Sequence, residues 1–157
     1  MADKTNASRI LEHKGVDFEL IEYPVDPEHL DASHVAQALG QDIATVFKTL
    51  VLVGDKNGHF VCVIQGDKEV DLKKAAKISG NKKAAMIHMK ELLPLTGYIR
   101  GGCTAIGMKK SFPVFIDSHA SLQDFIYVSA GKRGLQIKLK PSDYIKVTKA
   151  IVGDLIT

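Results

Sequence analysis

The sequence predicts an α+β fold: one domain over residues 1–157, with a mixed, barrel-like β-sheet surrounded by helices. Three observations carry that prediction. Short β-branched, apolar runs alternate with amphipathic helical stretches rather than segregating into separate regions. Two of those runs, 46–53 and 59–64, flank GDKNG at 54–58, which is the turn chemistry of an antiparallel hairpin. No strand-like run leads into a GxGxxG turn, so a doubly wound parallel sheet and the nicotinamide or flavin cofactors it holds are not expected.

Taken in order, Thr5 is positioned to cap a helix over 6–14, with Ile10 and Leu11 on its apolar side and Gly15 as its stop. Residues 18–23 alternate as a strand. Pro24 and Pro27 then force an extended connection, and Ser33 caps a helix over 34–39 that ends at Gly40. Beyond the hairpin, Asp71 opens a helix, DLKKAAKISG, with Leu72, Ala75, Ala76 and Ser79 on one side and lysines on the other. A helical piece over 91–95 precedes the glycine-rich loop 100–110. Residues 114–117, 125–129 and 135–139 read as strands, the last two joined by the turn SAGKRG at 129–134. Leu135, Ile137 and Leu139 share one face of their strand, and Gln136 and Lys138 the other. Pro141 starts a helix over 141–147, and 150–156 forms a last strand.

The most continuously apolar run contains a lysine. In IATVFKTLVLV, 43–53, period-2 alternation puts Lys48 on the face of Val46, Leu50 and Leu52, while Phe47, Thr49, Val51 and Val53 take the other. Neither face looks like solvent. Lys48 therefore lines a cleft, meets a partner, or sits at the strand entrance with its head in water, since an unpaired buried ammonium is costly.

Composition narrows the class. At 45% hydrophobic and 25% charged the chain is ordinary globular material, with no apolar run of about 18 residues to cross a bilayer, so no membrane partner is expected. Its polar opening, MADKTNAS, is neither a secretory nor a transit signal, which leaves the cytoplasm as the expected location. Cys62 and Cys103 belong to no CxxC pattern and the six histidines to no HExxH pattern, so neither a disulfide nor a metal is expected. Net charge is −6 over residues 1–67 and +9 over 68–157. Such asymmetry turns the later half toward a polyanion. Residues 68–90 hold seven lysines, with Lys73 and Lys77 one helical turn apart and Lys74 beside them. That face is either solvated or a phosphate-binding patch.

No GxSxG elbow and no thiol in a nucleophile motif is present. What stands out instead are positioning groups: Lys48, the Gly101 and Gly102 pair, and the turn from Ser129 to Gly131, whose backbone N–H groups suit a carbonyl, a carboxylate or a developing oxyanion.

At these residues the chain resembles the YbaK/EbsC family of aminoacyl-tRNA editing proteins, related to the editing domain of bacterial prolyl-tRNA synthetases. The likeness runs through YPVDP at 23–27, VFKTLV at 46–51, DLKKAAK at 71–77, TGYIRGG at 96–102, IGMKK at 106–110 and YVSAGKRGLQI at 127–137. It implies the fold of that editing domain and a freestanding deacylase that removes cysteine from Cys-tRNA(Pro), and often from Cys-tRNA(Cys). It also implies an aminoacyl-tRNA acceptor end as partner, with prolyl-tRNA synthetase as a further one, and no cofactor. Lys48 then falls in the editing pocket as a catalytic group with the Gly101 and Gly102 backbone, while Tyr23, Ser129, Gly131 and Gln136 surround the aminoacyl-adenosine end. Lys73, Lys74 and Lys77 become the tRNA-binding face.

Two positions depart from the family pattern: Ala105 stands where proline is common, and Gln136 where the cysteine deacylases carry aspartate. Gln136 donates and accepts hydrogen bonds but is neither a base nor a counter-ion. The mechanism implied by the resemblance uses no protein nucleophile: the substrate's own thiolate attacks its ester carbonyl, giving a cyclic thiolactone and free tRNA. The alternatives are a sibling that deacylates another small amino acid such as alanine with activated water, and a tRNA- or synthetase-binding module without catalysis.

Overall fold

The computed structural model describes residues 4–157; the first three residues of the polar opening lie outside them. Two open sheets pack on either side of the main core. The larger has the order β4-β2-β3-β5-β8, from β2 (Phe47–Gly54), β3 (Gly58–Gln65), β4 (Ala84–Met86), β5 (Val114–Asp117) and β8 (Ile151–Gly153). The smaller has the order β1-β7-β6, from β1 (Phe18–Glu22), β6 (Ile126–Ser129) and β7 (Leu135–Leu139), all antiparallel. β2 and β3 form the expected hairpin, with Gly54 opposite Gly58, whereas β5 and β8 join in parallel. The fold is thus α+β with mixed strands, as read. It is not a barrel: a single bridge, Val46 to Tyr127, links the two sheets, and neither closes.

Alternation along β2 and β3 sorts the packing. Phe47, Val51, Val61 and Val63 face the main core, where they meet Ile126, Val128, Ile137 and Leu139 of the small sheet and Leu11 of α1 (Asn6–His13). Leu52, Phe60, Cys62 and Ile64 face outward against Ala75 of α3 (Leu72–Ile78) and Leu155. The outer face of the small sheet is covered by α2 (Ala32–Leu39), whose Val35 and Ala36 pack near Tyr127. The hairpin is therefore buried on both faces, which is why its sequence is continuously apolar.

Caps fall mostly where the sequence puts them. Thr5 and Ser8 form a capping box, and the Asp71 carboxylate accepts from the Lys73 and Lys74 amides. Three readings need correction. α2 begins at Ala32 with Asp31, not Ser33, at its N-cap, because Asp31 is the last residue with extended backbone. Leu72, expected on the apolar side of α3, is exposed. The last strand spans only Ile151–Gly153, with Ile156 making a separate bridge to Val70. α4 (Leu92–Thr96) follows a 3-10 turn at Met89–Glu91, and α5 (Pro141–Thr148) has its proline at the first turn.

β4 was not legible in the sequence, since AAM has little strand propensity. It is held by a clasp. Asn81 Oδ1 accepts from the Lys56 and Asn57 amides at 2.9 and 2.7 Å, and Asp55 Oδ1 accepts from the Lys82 and Lys83 amides at 3.0 and 3.1 Å. Together they pin residues 81–83 across the hairpin turn and feed 84–86 onto β2. Gly54 is required there, because a Cβ would lie 2.1 Å from the Asn81 side chain.

Asn81→Ala leaves the Lys56 and Asn57 amides without their acceptor and should cost about 1–3 kcal/mol. A thermal melt reads this as a fall of several degrees; an unchanged melting temperature removes the clasp from the account of β4.

Candidate active site

β4 covers only half the edge it sits on. It pairs with Leu52, Val53 and Gly54, and the Ile87 N–H donates to Val51 O at 3.3 Å, after which the edge is open until β6 meets the start of β2 at the Val46–Tyr127 bridge. Alternate residues of an antiparallel strand turn both peptide groups to one side. Val51 faces β4, so Thr49 offers its peptide groups on the same edge, between β4 and the Val46–Tyr127 bridge; Val46 O points the other way and accepts from the Gly66 N–H at 2.8 Å. Beside this edge lies a cavity of about 320 Å³, closed by the start of α2 at Leu30 and Asp31, by Met86, Ile87 and Met89, by Arg100, Gly101 and Cys103, and by Ser129 and Gln136.

Lys48 lines it, half-buried, on the same strand face as Leu50 and Leu52. Burial pushes its ammonium below the ordinary lysine range, and the carboxylates of Glu69 and Asp67 pull the other way without pairing with it among the described residues. Of the three positions the sequence leaves open, the cleft wall is the one it occupies.

The glycine pair divides. Gly101 lines the cavity with φ +87, and its N–H has no partner among the described residues. Gly102 does not line it. Its N–H already donates to Ile99 O at 2.9 Å, and its missing Cβ would stand 3.0 Å from Lys132 Cα, so it lets the 99–103 turn pack on the 131–134 turn. The backbone donor expected from Gly102 is thus unavailable. Arg133 fastens the same two turns, its Nε donating to Arg100 O at 2.8 Å.

Ser129 and Gln136 are direct cross-strand partners and line the cavity together. Ser129 Oγ accepts from the Gly131 N–H at 3.2 Å. Gln136 is 5% exposed, and its Oε1 is buried with no hydrogen-bond partner. Such an atom costs stability unless something fills it, so the side chain is built for a donor that arrives in the cavity. Gly131 stands behind the wall with φ +106, its hydrogen facing the Tyr98 ring. Tyr23 lines a neighbouring depression that shares Leu30, Val35 and Gly101 with the cavity.

Lys73, Lys74 and Lys77 are on α3, which contributes nothing to the cavity wall. Lys74 Nζ is 2.8 Å from both Asp154 Oδ2 and Ile156 O, and the Asp154 hydrogen bond raises its pKa. Three wall residues escaped the sequence reading: Arg100, whose signal is a cation directly before the glycine pair; Thr49; and Asp31. The one thiol in the wall, Cys103, is pushed up to about 12 by burial, with Thr96 easing it slightly.

Residues 26–147 match the family model of the aminoacyl-tRNA editing domain. Over 154 residues the chain is 48% identical to an Enterococcus faecalis protein named "Putative Cys-tRNA(Pro)/Cys-tRNA(Cys) deacylase EbsC", covering 98% of this chain and 94% of that one. A Bacillus subtilis relative, "Uncharacterized protein YwhH", is 27% identical over 69% of this chain and 68% of its own. The structure matches the crystal structure of "a putative trans-editing enzyme for prolyl tRNA synthetase" at TM-score 0.85 and 26% identity, over 99% of each chain. It matches "hypothetical protein APE2540" at TM-score 0.88 and 20% identity, over 98% of this chain and 100% of that one, a likeness of fold alone.

The lowered Lys48 pKa fixes the sign of a stability effect. Between its folded pKa and the ordinary 10.5, the unfolded chain binds more protons, so Lys48 makes stability rise with pH across that window and imposes a constant penalty below it. Lys48→Met removes the penalty. The variant should melt at or above the wild-type temperature at neutral pH, with its advantage narrowing as pH approaches 10.5; a lower melting temperature at neutral pH contradicts the placement.

Proposed function

The chain belongs to the aminoacyl-tRNA editing domain family, and we propose that it is a trans-editing deacylase that removes cysteine from Cys-tRNA(Pro), and also from Cys-tRNA(Cys). The near-full-length relative from Enterococcus faecalis bears that activity in its name. We place the work in the cytoplasm; no helix among the described residues is long and apolar enough to cross a membrane. Prolyl-tRNA synthetase is the proposed source of the mischarged tRNA and the second partner.

The observation that carries the mechanism is Cys103. It is the only thiol in the cavity wall, and a pKa of about 12 keeps it protonated near neutral pH, so the wall supplies no ready thiolate. The substrate brings one. Its cysteine thiolate attacks its own ester carbonyl, the S–C bond forms, the bond to the ribose oxygen breaks, and that oxygen leaves with a proton from solvent, giving a thiolactone and intact tRNA. The protein's share is orientation and electrostatics. Lys48 draws the thiolate and the carbonyl oxygen together. The Gly101 N–H and the open Thr49 peptide edge hold the ester, while Ser129 and the unpartnered Gln136 oxygen receive the α-ammonium group. Tyr23, Gly102 and Gly131 act one step back, shaping the neighbouring wall and the two turns.

The test is a deacylation panel. Cysteinyl-tRNA should be cleaved and seryl-tRNA spared, because a hydroxyl of nearly the same size is hardly ionised near neutral pH. The Cys62→Ala, Cys103→Ala double variant should retain most turnover, and Lys48→Met should lose nearly all of it. Comparable rates on seryl- and cysteinyl-tRNA would instead identify a water-using deacylase of small amino acids, and no cleavage of either a binding module.

The tRNA body is proposed to cross the exposed side of α3. With Lys74 held by Asp154 and the Ile156 carbonyl, phosphate contact falls mainly to Lys73 and Lys77. Lys73→Glu, Lys77→Glu should weaken tRNA binding and flatten the salt dependence of its logarithm by about one to two units of slope. An unchanged slope makes α3 a solvated face.

A further inference from the structure

The segment between β1 and α2 gathers three side chains that the proposed chemistry does not use. His29, Asp31 and His34 each offer one ligand atom, and those atoms all lie within 4.8 Å of one another. Backbone geometry brings them together. The His29 N–H donates to Asp26 O at 2.9 Å in a tight turn, and α2 starts immediately afterward, so His34 in its first turn comes back over Asp31. The imidazole rings lie face to face, with centroids 4.2 Å apart and planes 19° from parallel. His34 Nδ1 is 2.6 Å from Asp31 Oδ1, and Asp26 Oδ2 is 3.9 Å from His29 Nε2.

Helix capping does not account for the arrangement. Asp42, Asp71 and Asp117 stand at N-cap positions and each accepts from the amide of the second residue of its helix, Asp71 from the third as well. At the same position Asp31 makes no such cap hydrogen bond of good geometry, and its short contact is with the His34 imidazole. The stacked rings make no hydrogen bond to each other, and their neighbours in the cluster are carboxylates. Two imidazoles with one or two carboxylates are the donor set of a borderline divalent ion rather than of magnesium or calcium, which take oxygen. Bonds of about 2.0–2.1 Å in a tetrahedral site put ligand atoms roughly 3.4 Å apart. The ligand atoms already lie within 4.8 Å of one another on exposed side chains, so rotamer adjustment can bring them to that spacing.

We propose that His29, Asp31 and His34 form a binding site for a divalent transition-metal ion of the zinc type, with the Asp26 carboxylate beside His29. The absence of an HExxH pattern argues against a metal from sequence alone; these residues meet only because a turn runs directly into a helix. The ion cross-links residues 26–34. That segment supplies Leu30, Asp31 and Ala32 to the cavity wall, so metal binding stiffens one side of the cavity mouth.

The probe is Zn²⁺ itself, titrated into the tag-free full chain after chelator treatment, in competition with a chromophoric chelator and with Mg²⁺ as the control ion. One equivalent should bind, and Zn²⁺ should raise the melting temperature while Mg²⁺ does not. His29→Ala and His34→Ala should each weaken binding by at least about tenfold. His119→Ala, which alters a histidine paired with Asp117 elsewhere, should not. His29→Gln and His34→Gln repeat the test with side-chain bulk retained, and metal-free melts of every variant report its folding directly. No binding at a fivefold excess of Zn²⁺ overturns the site, as does one equivalent retained with unchanged affinity by the His29 and His34 variants.

Discussion

Main-chain hydrogen bonding along β2 is the constraint on which the rest of the structure depends. A strand buried on both faces must still satisfy its edge peptides, and here β3 satisfies one edge completely while β4 reaches only from Gly54 to the Ile87 contact with Val51. The Thr49 peptide, left between β4 and the Val46–Tyr127 bridge, would be a liability in a dry core, and here it borders the cavity instead. β4 is short because residues 81–83 are clasped across the hairpin turn, which fixes where the strand can begin, and the 3-10 turn at Met89–Glu91 fixes where the chain must leave.

The opposite wall follows from two loops that need each other. The 99–103 turn carries Arg100, Gly101 and Cys103 to the cavity, and it is held there by contact with the 131–134 turn through Gly102 and Arg133. Gly131 at φ +106 lets the second turn form, and Tyr98, which packs against it, donates its hydroxyl to Ile106 O at 2.6 Å. The glycines of these motifs thus divide the labour. Gly101 presents backbone, whereas Gly102 and Gly131 remove side chains from points where two segments cross.

Much of this was legible because it rests on local chemistry. The hairpin, the Asp71 and Thr5 caps and the alternation that places Lys48 with Leu50 and Leu52 depend on neighbours in sequence, and each stands in the structure. What was not legible depends on partners far along the chain. β4 exists because β2 and the Asn81 clasp recruit three residues of poor strand propensity. The expected barrel fails to close because one bridge, Val46 to Tyr127, is all that joins two sheets of different size. Nor does sequence show that the Gly102 amide is already bonded, that Lys74 is held by the C-terminal segment, or that the Asp31 carboxylate meets the His34 imidazole.

Gln136 joins fold and chemistry most directly. It lies on the outward face of β7 beneath α2, a position where a polar side chain is out of water but open to the cavity. A carboxylate there would add a negative charge to a wall that also holds Lys48 and Arg100, raising the Lys48 pKa and drawing its ammonium away from a ligand. A neutral amide does neither. It keeps an acceptor for an arriving ammonium group and leaves Lys48 uncompensated within the cavity, its ammonium partly desolvated and answered only by the more distant Glu69 and Asp67. Under the proposed mechanism that is the better arrangement for gathering negative charge, since the thiolate and the developing oxyanion both form on the substrate and no carboxylate among the described residues pairs with Lys48.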